Sequence, residues 1–212
     1  GKVVSWKLPG AGYYEFPVWS PDSRNIAYVD NSRTLWWINV AGGVSKKVAL
    51  DHFYGPVKTL WPAWSPDSRW IAYSVSNESY IQRVFVHSIE SGKSFPVTDG
   101  LSNASDPKFD RSGKYLYFFS STNAGPANNW FTLENEENQV THSIWMAVLR
   151  KDLPNPLLKK SDEEKGESAT TEDKAKEKNG DAKTIKTAKT EPVRIDFEGL
   201  QYRILDLPVT AA

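Results

Sequence analysis

Trp61-Pro62-Ala63-Trp64-Ser65-Pro66-Asp67-Ser68-Arg69-Trp70-Ile71-Ala72-Tyr73 decides the fold, because the same pattern stands on either side of it at one fixed interval. Forty-five residues earlier the chain reads Phe16-Pro17-Val18-Trp19-Ser20-Pro21-Asp22-Ser23-Arg24-Asn25-Ile26-Ala27-Tyr28. Forty-five residues later it reads Asp106-Pro107-Lys108-Phe109-Asp110-Arg111-Ser112-Gly113-Lys114-Tyr115-Leu116-Tyr117-Phe118. The third copy is degenerate, but its ring, turn and apolar positions stay in register. Internal repeats of this length signal solenoids or propellers.

The unit has a readable physics. A short strand ends at Trp19 or Trp64. The turn Ser-Pro-Asp-Ser follows, where Pro21 and Pro66 preset φ and Asp22 and Asp67 can bond nearby N–H groups. Gly113 fills the slot of Ser23 and Ser68, where tolerance of positive φ suits a turn. Second strands are expected over Asn25 to Val29, Trp70 to Val75 and Tyr115 to Ser120, rich in strand formers. Thr34 to Val40 and Ser45 to Leu50, joined at Ala41-Gly42-Gly43, complete the first copy; Arg83 to Ile89 and Ser94 to Thr98 complete the second. Four strands per unit of about 45 residues match a propeller blade. A β-sandwich needs no fixed period, and a helical repeat does not fit the strand formers and turns that fill each period.

The fold expected is therefore all-β: a β-propeller fragment of about three four-stranded antiparallel blades. Residues 1–13 are read as the outer strand closing a preceding blade. Residues 14–58 and 59–103 are blades. Residues 104–158 and 192–212 form a third, interrupted blade, with Ser143 to Leu149 as its third strand. The interruption, 159–191, holds nine Lys and nine acidic residues, and no aromatic occurs from Met146 to Asp196. It buries too little apolar surface to offset its ordering entropy, so disorder is expected, as a solvated insertion or a charged tether. Val193 to Phe197 and Tyr202 to Leu207 alternate like half-exposed strands. Arg203 to Pro208 echoes Val4 to Pro9, so both are read as outer strands.

Composition bounds the chemistry. The 212 residues include nine Trp, nine Tyr and nine Phe, enough rings for a sizeable core. Lys and Arg total 26, as do Asp and Glu, so nothing pulls the chain toward nucleic acid or a membrane surface. The absence of Cys excludes disulfides and thiolate metal sites. His52, His87 and His142 show no metal-ligand spacing. No nucleophile elbow and no phosphate loop appear, so no catalytic, cofactor or metal residue is nominated. The repeated Asp22 and Asp67 read as architecture. Candidate contacts for a peptide or partner are Trp37 and the cluster Asn129-Trp130-Phe131, which lies in a long irregular segment. Neighbouring Trp36 and Trp37 should face opposite sides of their strand and differ in exposure.

The Trp-Ser-Pro-Asp-Ser-Arg-x-Ile-Ala-Tyr core resembles the propeller repeats of TolB-like proteins, the prolyl oligopeptidase group and tricorn-type proteases, and alone does not separate them. Downstream, Val97-Thr98-Asp99-Gly100-Leu101-Ser102, Gly113 to Phe118, Ser120-Ser121-Thr122-Asn123, Val148-Leu149-Arg150-Lys151-Asp152 and Val193 to Gly199 follow in an order similar to the second propeller of tricorn-protease homologues. The resemblance implies a propeller ahead of a PDZ-like module and a serine-peptidase domain, scaffolding the enzyme or gating peptide substrates. The rival readings are a TolB-like binding propeller with no enzyme attached, and the propeller of a prolyl oligopeptidase-type enzyme. Three blades close no ring. The chain is thus expected to be part of a longer protein that supplies the remaining blades, or to self-associate over its open faces. Compartment is not legible.

Overall fold

The computed structural model describes residues 3–10, 12–52, 60–123, 140–158 and 191–209. Residues 154–189 form a unit of their own, separate from 1–153 and 190–212. The expected disorder at 159–191 falls almost wholly outside the described residues.

Among the described residues, twelve strands make three four-stranded antiparallel sheets. The first contains β1 (Tyr14–Trp19), β2 (Asn25–Asp30), β3 (Thr34–Asn39) and β4 (Ser45–Leu50) in chain order. The second repeats that order with β5 (Ala63–Trp64), β6 (Trp70–Ser76), β7 (Gln82–Ser88) and β8 (Ser94–Pro96). The third joins β9 (Asn103–Phe109), β10 (Tyr115–Ser121), β11 (Ser143–Val148) and β12 (Ile204–Asp206). No α-helix occurs among the described residues. Each sheet is a meander whose opening strand packs against its neighbour's: β1 lies against β5, and β5 against β9. That convergence of first strands is the arrangement of propeller blades about an axis.

The second sheet shows why the sheets stack. Side chains alternate across a strand, so each face needs its own cover. Ile71 and Tyr73 of β6 join Ala27, Val29, Leu35, Trp37 and Trp64 in one buried cluster shared with the first sheet. Ala72 of β6 and Val84 and Val86 of β7 join Leu116, Phe118, Ala147 and Leu149 in another, shared with the third. Burial of the Val, Leu, Ile and Phe side chains among them stabilises by about 1.5–3 kcal/mol each.

Two expectations are corrected. Val193 to Phe197 is not a strand: the segment 191–197 is irregular and is held by single bonds rather than a ladder. Val193 N–H donates to Asp67 Oδ2 at 2.7 Å and Asp196 N–H to the Leu149 carbonyl at 2.9 Å. Phe197 stacks instead on Phe95 of the second sheet, ring centroids 4.3 Å apart. Of Tyr202 to Leu207 only Ile204–Asp206 pairs, because Leu200–Arg203 is a 3-10 turn entered at Gly199 with φ 67°. Val4 to Leu8 meets no strand edge among the described residues; the blade it is expected to close is not among them.

Candidate functional site

The Ser-Pro-Asp-Ser turns are small hydrogen-bonded devices. Ser20 Oγ accepts the Asn25 N–H at 2.9 Å, and Asp22 Oδ1 accepts the Arg24 N–H at 3.0 Å. Ser65 and Asp67 make the same bonds to Trp70 and Arg69. In the third copy the two residue types exchange slots. Asp110 stands where Ser20 and Ser65 do, and takes the N–H groups of Ser112, Lys114 and Tyr115 at 2.8–2.9 Å. Burial pushes the Asp22 carboxyl up, and hydrogen bonds from Ser20, Arg24 and Ser68 outweigh it, leaving the group below its ordinary range. The same balance, with bonds from Ser112, Tyr115 and Lys114, lowers Asp110.

Pro21, Asp22, Pro66 and Asp67 all sit in these turns. Ser23, Ser68 and Gly113 share one backbone shape, φ 58°, 62° and 70°. Glycine is therefore not required by φ alone. A Cβ on Gly113 would stand 2.6 Å from Val193 Cγ2 and 3.4 Å from Pro66 Cγ, so the glycine permits a close approach.

The turns also bond across the seams between sheets. Trp64 Nε1–H donates to the Val18 carbonyl at 2.9 Å, and Asp22 N–H donates to Ser68 Oγ at 3.0 Å. Both link the second sheet to the first. Toward the third sheet, Trp70 Nε1–H meets the Val193 carbonyl at 3.3 Å.

Trp37, the ring nominated for peptide contact, is 6% exposed and fills the seam between the first and second sheets. The Lys46 ammonium lies 5.1 Å from its ring centroid, and the Trp37 Nε1–H has no hydrogen-bond partner among the described residues. Trp36, facing the other way, is the more exposed of the two and donates to Asp30 Oδ2 at 2.9 Å. Asn129, Trp130 and Phe131 lie outside the described residues.

Sequence reasoning missed one feature. Phe16 and Asp106, one repeat slot of the first strands, both hold positive φ, 52° and 51°. The pairing register shifts at each. Bulges of this kind re-aim a side chain. The ring of Phe16 lies 4.3 Å from that of Trp61, which occupies the same slot of the second copy and is 38% exposed. The available signal was the proline that follows all three residues, Pro17, Pro62 and Pro107, since a residue before proline is conformationally restricted. The aromatic pair thus bridges β1 and the residues that lead into β5.

His87 is 2% exposed and its Nδ1 shares a hydrogen bond with Ser94 Oγ at 3.0 Å. Burial first, then the Lys46 charge, push the imidazole down to about 4. Between the second and third sheets a cleft of about 170 Å³ is lined by Thr98, Ser102, Phe118, Ser120, Trp145 and Gln201. No three of His, Cys, Asp and Glu cluster as metal ligands among the described residues.

Three meandering four-stranded sheets, cross-linked at their turns and converging on their first strands, define a β-propeller segment. The chain belongs to the family of the tricorn protease second beta propeller domain, whose family model matches residues 5–212. A crystal structure of the tricorn protease is similar at 16% identity and TM-score 0.62, covering 96% of this chain and 18% of that one. The chain thus spans about a fifth of the length of that protease. A putative TolB from Agrobacterium tumefaciens matches 61% of this chain and 43% of its own, at 18% identity and TM-score 0.43. The β-propeller domain of the Trilobed protease from Pyrococcus furiosus matches 63% and 40%, at 14% identity and TM-score 0.43. No curated protein sequence matches the chain.

Proposed function

We propose that this chain is a non-catalytic β-propeller segment of a tricorn-like serine peptidase, where it scaffolds the enzyme or gates the access of peptide substrates. The observation that supports this reading is the family match over residues 5–212. The Phe16–Trp61 pair adds a candidate contact surface, because rings on a rigid scaffold offer apolar area at low entropic cost. Its partners are the remaining blades and the peptidase domain of the parent protein, and the peptides they process.

The test uses the full-length protein, with Phe16→Ala and Trp61→Ala combined. Gating predicts a several-fold change in kcat/KM for long peptides and none for a dipeptide-sized substrate. Equal effects on both, or none, contradict gating. A parent protein that turns over no peptide, but retains a protein partner on purification, favours the TolB-like binding propeller instead.

A further inference from the structure

Phe16, Trp61 and Asp106 fill one repeat slot, and two of the three hold a strained backbone. Phe16 and Asp106 stand at φ 52° and 51°, in the left-handed region. A bulky side chain there is an outlier, and glycine would take the same shape without strain. The chain keeps a ring in one copy and a carboxylate in the other. Strain of this kind gathers at sites where a side chain has to be aimed. Both copies are built alike: the pairing register shifts between Glu15 and Val18, and between Tyr117 and Phe119. Each residue thus leaves the ladder just before its proline. Pro107 is fully buried, whereas Asp106 keeps part of its surface exposed.

Three further observations describe the surface that results. The Phe16 and Trp61 rings stand 4.3 Å apart and tilted by 49°, and Trp61 is 38% exposed. The Asp106 carboxylate has no hydrogen-bond or ion-pair partner among the described residues. The first strands run side by side, β1 against β5 and β5 against β9. The repeat that sets Trp61 beside Phe16 therefore sets Asp106 beyond Trp61 in the same row.

The chemistry of the row selects its ligand. Aromatic faces attract a cation through the ring quadrupole, and a carboxylate adds a charge-assisted hydrogen bond. A neutral apolar group would desolvate the carboxylate and return nothing to it. We infer that this row is a subsite for a cationic side chain, Lys or Arg, of an extended peptide. The alkyl stem lies against the Phe16–Trp61 rings, as such stems do on apolar surface, and the charged head reaches the Asp106 carboxylate. The inference rests on the reading of the Phe16–Trp61 pair as a peptide contact, and gives that surface a preference.

The test titrates the 15N-labelled 212-residue chain with short peptides blocked at both ends. They differ only in a central Lys, Arg, Gln or Leu, and the amide signals of Phe16 and Asp106 are followed. The Lys and Arg peptides should shift both signals and bind at least about fivefold more tightly than the Gln and Leu peptides. Asp106→Asn keeps the backbone shape, since Asn tolerates the left-handed region. It should weaken the Lys and Arg peptides about threefold or more and leave the Leu peptide unchanged. Four equal affinities overturn the inference while leaving the peptide contact standing. A preference that survives Asp106→Asn overturns it too, because the carboxylate is then not the acceptor. Silent Phe16 and Asp106 signals overturn both the inference and the contact. No readout involves turnover, so the gating test fails or succeeds separately.

Discussion

The indole of Trp64 reaches out of the second sheet and bonds the backbone carbonyl of Val18 in the first, at 2.9 Å. The contact joins two blades through a ring position that each repeat fills, with Trp19, Trp64 and Phe109. Replacing Trp64 with Phe keeps a ring and leaves that carbonyl unpaired, at a cost of about 1 kcal/mol. Trp64→Ala also opens a cavity and should cost about 3–5 kcal/mol. Urea denaturation of the three proteins checks the ranking.

Gly113 and Ser23 occupy one repeat slot but should answer substitution differently. Gly113→Ser drives a Cβ against Val193. It should destabilise by about 1–3 kcal/mol, as overpacking does. Ser23→Gly, on an exposed turn already at φ 58°, should lie within about 0.5 kcal/mol of the parent. Chemical denaturation of both variants decides it.

His87 gives the fold a pH dependence. Its folded value, about 4, lies below the unfolded 6.5, so the unfolded state binds its proton first. The contribution is fully present above pH 6.5 and is lost as pH falls from 6.5 to 4, at most about 3 kcal/mol. His87→Gln should flatten that part of the stability–pH curve. An unchanged slope in the variant contradicts the assignment.

The chain on either side of the interruption comes together. Lys151 N–H bonds Asp196 Oδ2 at 3.0 Å, and Lys151 also pairs with Glu198. Exchanging residues 154–189 for a short Gly-Ser linker should leave Tm within about 3 °C, since such insertions are tolerated where their ends are close. A cooperative melt of the shortened protein is the measurement.

The sheets were legible because each repeat carries its own strand and turn code: Ser-Pro-Asp-Ser at a fixed spacing before the apolar runs Ile26-Ala27-Tyr28 and Ile71-Ala72-Tyr73, which suit a strand covered on both faces. Val193 to Phe197 misled because it reads as a strand too. Its alternation serves contacts to another sheet, Phe197 on Phe95 and Val193 on Asp67, and nothing local distinguishes that from a strand. The Phe16–Trp61 pair was hidden because no propensity registers a bulge that turns a side chain toward a neighbouring sheet. Gly113 was assigned to turn geometry, whereas the crowding by Val193 comes from a residue eighty positions away.

The account stands on three sheets packed as successive blades, with Trp64 locked into the seam. The most direct measurement is the indole region of a 15N-labelled spectrum, with the Trp64 signal assigned by Trp64→Phe. The account predicts a slowly exchanging Nε1–H that shows a nuclear Overhauser contact to Val18. A rapidly exchanging signal without that contact contradicts it.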